Sequence, residues 1–345
     1  MPNVELGFLE HCEESWKLES PLFPSKVGGK PAWLSLKPLP NGEEDLTCNK
    51  CQKTLIFLCQ LYAPYEPETT DPENLDNNFH RTIFVFVCRT SSCQTVKVLR
   101  SSLPRDNDFY SSEPPVEKPD PDFLTKWVEV CNSCGIKANK RCGQCKMVWY
   151  CCKDHQLIHW RNGHKNQCSK GQTQLKTDAG ILFPEWELIT ETEERETEDV
   201  DEREAMAEYE KLKAEGKTGT LEEVSESDLD AHASLDMDKV FAKFKKRIED
   251  YPDQVIRYSR GGEPLLIAKE PLPLNIPKCK HCGTKRQFEF QIMPQMLSVL
   301  KENIIDWGVL LIYTCKKSCI GESINEYKEE YVFRQDLTSD SDHIK

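Results

Sequence analysis

Apolar side chains recur with a period of two in two distant stretches of the chain. In QKTLIFLCQLYAP they are Leu55, Phe57, Cys59 and Leu61; in GTKRQFEFQIMPQ they are Phe288, Phe290 and Ile292. Successive side chains of a strand point to opposite faces, so this alternation predicts two half-buried strands. The runs RTIFVFV, from Arg81, and WGVLLIYT, from Trp307, are apolar almost throughout, which predicts strands covered on both faces. Strand-like runs follow each, TVKVLRS from Thr95 and EYVFRQD from Glu330. A helical period stands out in MDKVFAKFKKRIEDY, where Val240, Phe241, Phe244 and Ile248 share one face and lysines take the other.

These patterns recur in matching order. Phe57 and Phe288 each stand six residues beyond a Cys-x2-Cys pair, Gln60 and Gln291 nine beyond it, and Cys59 takes the place of Phe290. A Gly-Gly-x-Pro turn signal opens both halves, at Gly28 and Gly261. Equivalent cysteines, such as Cys48 and Cys279, are 231 residues apart. Repetition on this scale predicts a mainly β fold with small α+β zinc modules, in which two duplicated zinc-ribbon-like β halves pack into one composite domain. The expected organisation is an N-terminal zinc-binding β half over 1–105 and a Pro-rich linker over 106–123. A zinc finger over 124–170 and an acidic, partly disordered segment over 171–236 follow. The amphipathic helix and C-terminal zinc-binding β half occupy 237–345.

Charge sharpens that division. The net charge is −13, yet Glu185 to Asp230 hold 19 acidic and 5 basic residues, a balance of −14. Cys131 to Lys170 hold 8 basic residues against Asp154 alone, a balance of +7. The total argues against general affinity for nucleic acid and toward basic partners. The acidic tract offers charge to a basic client, and exposed strand edges of the β halves are expected to offer strand addition. No run approaches the roughly 20 apolar residues of a membrane span. The N-terminal MPNVELGFLEHCEESW has no apolar core of a secretory leader. The 17 cysteines are therefore expected in a reducing compartment, as metal ligands rather than disulfides.

Their spacing supports that reading. Cys48-x2-Cys51 with Cys88-x4-Cys93, and Cys279-x2-Cys282 with Cys315-x3-Cys319, each supply two knuckles and four thiolates. Between them lie Cys131, Cys134, Cys142, Cys145, Cys151, His155, His164 and Cys168. The i,i+4 pairs Cys151/His155 and His164/Cys168 can each share a helical face. Eight ligands make two closed tetrahedral sites, so the expectation is about four zinc ions in the chain and a scaffold, with no catalytic position. Cys12 and Cys152 are left as free thiols, Cys59 as a small core residue, and His159 as a surface partner to the fold.

The order Cys-x2-Cys, Cys-x2-Cys, YC, Q-x2-H-W, HK-x2-C resembles a MYND-type zinc finger. The resemblance implies interleaving: the first and third ligand pairs hold one zinc, the second and fourth the other. It departs at the sixth ligand, His155, where such fingers have cysteine. It also implies recognition of short proline-containing peptides, with Gln156 and Trp160 as contact residues. ELGFLE, FPSKVGGKPAWL, FLCQLYAP, FHRTIFVFVC and FPEWELITE lie around the finger, and EFQIMPQML, DWGVLLIYTC and EEYVFRQD close the chain. With these, residues 5–337 resemble the programmed cell death protein 2 family. That likeness implies a non-enzymatic, dedicated chaperone of the ribosomal protein uS5, supporting 40S ribosome biogenesis in cytoplasm and nucleus. The alternative is a nuclear adaptor recruiting corepressor complexes through the finger. A lysine methyltransferase reading fails on the sequence, which has neither an Asn-His dipeptide nor a Gly-x-Gly triplet. Direct DNA binding is disfavoured because the finger's lysines are dispersed.

Overall fold

Residues 3–64, 72–114, 118–120, 122–168, 180–194 and 239–337 are described by a computed structural model of the chain. Ten strands close into one barrel. From the first half come β1 (Glu5–Glu10), β2 (Lys26–Val27), β3 (Ile56–Tyr62), β4 (His80–Val87) and β5 (Val96–Leu103). Two short strands, β6 (Lys140–Arg141) and β7 (Trp149–Tyr150), form a separate hairpin in the finger. The barrel then continues with β8 (Trp186–Thr192), β9 (Ile256–Tyr258), β10 (Arg286–Ile292), β11 (Val309–Cys315) and β12 (Lys328–Gln335). Around the barrel the order is β1-β8-β2-β3-β4-β5-β12-β11-β10-β9, and β9 returns to β1. Every pairing is antiparallel.

That order reads the same from either seam. β2-β3-β4-β5 meet β12-β11-β10-β9 across the β5–β12 pairing, which joins only Val98, Leu99 and Arg100 to Glu330, Glu329 and Lys328. On the opposite side β1 and β8 pair over six residues, Glu5↔Thr192 to Glu10↔Glu187. Here the first strand lies against the later half and β8 against the earlier one, through β1–β9 and β2–β8.

The interior of the barrel is mostly aliphatic. Leu58, Cys59, Ile83, Val85, Val98, Leu188, Ile256, Phe290, Leu310 and Ile312 belong to one buried cluster. Side chains of the opposite parity pack outward into two further clusters. Phe57, Phe84 and Phe86 meet Trp33 and the finger, while Phe288, Leu311 and Tyr313 meet Phe244 and Ile267. The predicted half-burial of β3 is therefore corrected: all but Tyr62 of its seven residues are buried, because the outer face is covered as well. The helix over 239–249 does the covering in the later half, with Phe244 buried and Phe241 and Ile248 packed beside it.

Local features repeat between the halves. β3 shifts register against β4 between Phe57 and Cys59, and β10 against β11 between Phe288 and Phe290. Ala32 N–H donates to Gln60 Oε1 at 2.8 Å, and Gln60 Nε2 donates back to the Ala32 carbonyl at 3.1 Å. Leu265 and Gln291 make the same reciprocal pair at 2.7 and 3.1 Å. Each clamp holds the residue four beyond Gly28 or Gly261, whose φ values of +69° and +76° explain the glycine. At Gly28 a side chain would also meet the Pro184 carbonyl at 1.9 Å.

Three further expectations are corrected. Trp186–Thr192 falls in the segment read as acidic and partly disordered, yet it is a barrel strand with Leu188 buried. The stretch read as a linker is partly packed: Phe109 and Tyr110 are buried, and Tyr110 Oη donates to the carbonyls of Trp33 and Leu34. Among the described residues every barrel strand has a partner on both sides, so no whole edge strand is open to strand addition. The acidic residues 195–238 lie outside the described residues. Among the described residues no helix is long and apolar enough to cross a membrane.

Candidate metal centres

Four knuckles share one turn. In each Cys-x2-Cys pair the residue after the second cysteine is left-handed: Gln52 (+60°), Gly135 (+74°), Lys146 (+55°) and Gly283 (+68°). Its N–H donates to the carbonyl of the first cysteine, at 2.9, 2.8, 3.0 and 2.9 Å respectively. The turn folds the chain back so that both sulfurs of the pair point the same way. Glycine after a cysteine pair is the sequence signal for it, visible at Gly135 and Gly283 and hidden at Gln52 and Lys146.

The remaining ligands come from strand ends and the finger's helices. Cys88 and Cys93 follow β4, and Cys315 ends β11 with Cys319 just beyond. In the finger, Cys151 precedes the helix Lys153–His159, whose N-cap is Cys152, and only His155 of that pair lies within it. A π-turn over Trp160–His164, reversed at Gly163 (φ 134°), brings His164 in ahead of the short helix Lys165–Cys168.

These elements gather the sixteen residues into four groups whose ligand atoms lie within 4.8 Å of one another. They are Cys48, Cys51, Cys88, Cys93; Cys131, Cys134, Cys151, His155; Cys142, Cys145, His164, Cys168; and Cys279, Cys282, Cys315, Cys319. Zinc–thiolate bonds of about 2.3 Å put tetrahedral sulfurs about 3.8 Å apart. Cys51–Cys88 at 3.5 Å, Cys142–Cys168 at 3.7 Å and Cys315–Cys319 at 3.8 Å match that edge. A disulfide would need about 2.05 Å. His155 presents Nδ1, 3.1 Å from the Cys151 sulfur, and His164 presents Nε2, 3.4 Å from that of Cys142. The donor sets fit zinc, and four protein ligands complete each tetrahedron, which is the structural rather than the catalytic arrangement.

The finger is built into the barrel's outer face. Trp33 Nε1 donates to the Gly135 carbonyl at 2.7 Å, and a side chain at Gly42 would lie 2.9 Å from the Cys151 Cβ. Cys131, Cys134, Cys142 and Cys151 share one buried cluster with Trp33, Phe57, Phe84 and Phe86.

Of the residues left over, Cys59 is buried in the barrel, where burial pushes its thiol far above the ordinary range. Cys12 and Cys152 are half-buried free thiols. His159 is not a surface residue. It is 2% exposed, its Nδ1 is 2.8 Å from the Tyr150 hydroxyl, and its ring stacks on His164 at 5.0 Å. Burial holds its pKa down to about 4, so the ring is neutral. Spacing gave no sign of this, because Tyr150 is not a metal-ligand type. Gln156 is half-buried, and Trp160 packs on the finger cluster, edge-on to His164 at 5.8 Å. The groove beside this helix is lined by Asp154, Leu157 and Ile158 from the helix and Arg161 from the π-turn, not by Gln156 and Trp160.

Comparison with known proteins adds three family matches. Residues 3–117 match the N-terminal domain of programmed cell death protein 2, residues 238–336 its C-terminal domain, and residues 131–168 the MYND finger. The chain is 42% identical over 356 residues to programmed cell death protein 2 of Bos taurus and 41% over 355 to that of Rattus norvegicus, each alignment covering 97% of both proteins. It is 35% identical over 98 residues to Probable 20S rRNA accumulation protein 4 of Schizosaccharomyces pombe, 24% of each chain. No solved structure matches.

Proposed function

The chain belongs to the programmed cell death protein 2 family, and from that premise we propose that it is a zinc-stabilised, non-enzymatic chaperone serving ribosome biogenesis. Its client in this reading is the small-subunit ribosomal protein uS5, met in the cytoplasm and accompanied toward the nucleus. The observation that carries the reading is the likeness to a yeast relative named for 20S rRNA accumulation. Two features agree with it. The metal groups are closed sets of four, suited to holding a shape. The acidic tract gives a basic, RNA-adapted client a charged partner that salt can loosen. Because the barrel is closed, the client is held by the tract and by surface side chains rather than by an added strand.

We further read the barrel as one five-strand unit written twice, β1–β5 and β8–β12, each lending its first strand to the other. On that reading the finger lies between the units, and the acidic tract is an insertion within the second, between β8 and β9.

Purification of the tagged chain from growing cells, at low and at high salt, tests the client. Near-equimolar uS5 that high salt weakens without abolishing is the expected result. Corepressors in place of any ribosomal protein would assign the finger an adaptor role and sink the chaperone reading.

A further inference from the structure

A groove of about 410 Å3 opens where the finger helix faces the first knuckle and the approach to β8. Its apolar part is Leu157 and Ile158 from the finger, Ile56 of β3, Ile181 before β8, and Ile304 from the later half. Leu157 is 40% exposed and Ile304 48%. Three cations line it, Lys53, Arg89 and Arg161, against one carboxylate, Asp154. Arg89 is fixed by Glu302 at 2.8 Å and by the carbonyls of Gly180 and Ile181. Lys53 and Arg161 have no carboxylate partner among the described residues. Once zinc is bound the adjoining four-thiolate site carries a formal charge of −2, and Lys50, inside its knuckle, shares with Lys53 in offsetting it. An apolar slot whose rim carries two cations without a carboxylate partner fits an acidic segment carrying a few apolar side chains.

Such a segment is tethered nearby. Residues 195–238 carry 16 acidic and 5 basic side chains, with Met206, Tyr209 and Leu212 among them. Glu193, just before the tract, takes an ion pair at 2.7 Å from Arg247, on the helix that follows it. A loop of 44 residues pinned at both ends reaches 22 residues outward, about 75 Å at ~3.4 Å per residue. Gly180, on the groove wall, is 14 residues from Glu194 and so no more than about 48 Å away. We propose that the groove is occupied in cis by the middle of this acidic tract, with its apolar side chains against Leu157 and Ile304 and its carboxylates on Lys53 and Arg161.

The test compares the full chain with a variant in which a short Gly-Ser linker joins Glu194 to Lys239. The probe is a fluorescent peptide of residues 196–212, which carries 8 acidic and 2 basic side chains. The shortened variant should bind it at low salt, and the full chain, whose groove is filled, at least ten-fold more weakly. Adding Lys53→Glu and Arg161→Glu to the shortened variant should abolish binding while the zinc content stays unchanged. Equal binding by both chains, no binding by the shortened one, or indifference to the charge reversal would each overturn the proposal. A second measurement needs no deletion. A benzophenone side chain in place of Leu157 in the full chain should crosslink within the molecule to residues 200–215. Crosslinks to a second copy, or to other segments alone, would refute it. No client is present in either experiment, so the outcome is independent of the chaperone reading.

Discussion

Arg81 and Glu289 are separated by 208 residues in sequence, yet Arg81 Nη2 donates to Glu289 Oε2 at 2.7 Å with both side chains fully buried. Burial alone would raise the pKa of Glu289. The charge and hydrogen bonds of Arg81, with Arg260 and the Thr314 hydroxyl, outweigh it and hold the carboxyl at about 2. Removing either partner alone, as Arg81→Met or Glu289→Leu, should cost ~3–5 kcal/mol in urea unfolding. The double variant should recover most of that, since apolar pairs replace buried ion pairs at little cost. A single variant as stable as the parent would show that the pair is not dry. His80 behaves differently. It is buried against Phe23 at 4.1 Å, its Nδ1 lies 3.0 Å from the Tyr62 hydroxyl, and burial lowers its pKa from 6.5 to about 4. The unfolded chain therefore binds a proton that the folded one refuses between those values. The stability this residue confers is complete above about pH 6.5 and declines as the pH falls toward 4. His80→Asn should flatten that part of the stability–pH curve, with urea midpoints at successive pH values as the readout. None of these three residues was legible as a partner in the sequence, whereas the cysteines and histidines that cluster in fours stood out there. A ligand announces itself by residue type and spacing, but a long-range ion pair or a buried histidine depends on what the fold brings opposite.

Each knuckle is a turn that prefers glycine, and two of the four lack it. A side chain in the left-handed region costs roughly 1–2 kcal/mol. Gln52→Gly and Lys146→Gly should therefore stabilise the zinc-loaded protein by up to ~1 kcal/mol, after the glycine's own entropy is set against the gain, and raise its unfolding midpoint. Gly135→Ala should lower it, because its Cβ would also lie 2.8 Å from that of Lys30. Thermal unfolding of the three variants in excess zinc decides this, and no change at Gln52 would mean that the turn relaxes once the metal is bound. Elements differed in how openly the sequence declared them. β4 and β11 were plain from their apolar runs, and the helix over 239–249 from its period. β8 was hidden because WELITET is half polar and leads into an acidic run, and only Leu188 is deeply buried. For β3 the alternation was real, but it marked a strand facing two cores rather than one core and solvent.

The finger, the first half's metal cluster and the outer face of β3 and β4 share a buried cluster, so the metal should stabilise more than the modules that hold it. Structural zinc is worth roughly 10–16 kcal/mol to a small module, against about 5–15 kcal/mol for a whole domain. Titration with a strong chelator should collapse near-ultraviolet circular dichroism from the barrel's Trp33 and from the finger's Trp149 in one transition. A finger that melts alone, leaving the Trp33 signal intact, would show that the shared cluster does not couple them. At this scale the sequence disclosed a mainly β fold but not how its strands close, since closure depends on which strand crosses to which side. The crossing has a consequence in time. As the chain leaves the ribosome, β2 lacks its neighbour until Trp186 appears, and β5 lacks its own until Lys328 does. The 232 residues from Leu103 to Gln335 take about 12–46 s to translate at ~5–20 residues per second. For that interval the nascent first half carries unpaired edges and uncovered aromatic faces, so the newborn chain itself needs shelter until its last strand arrives.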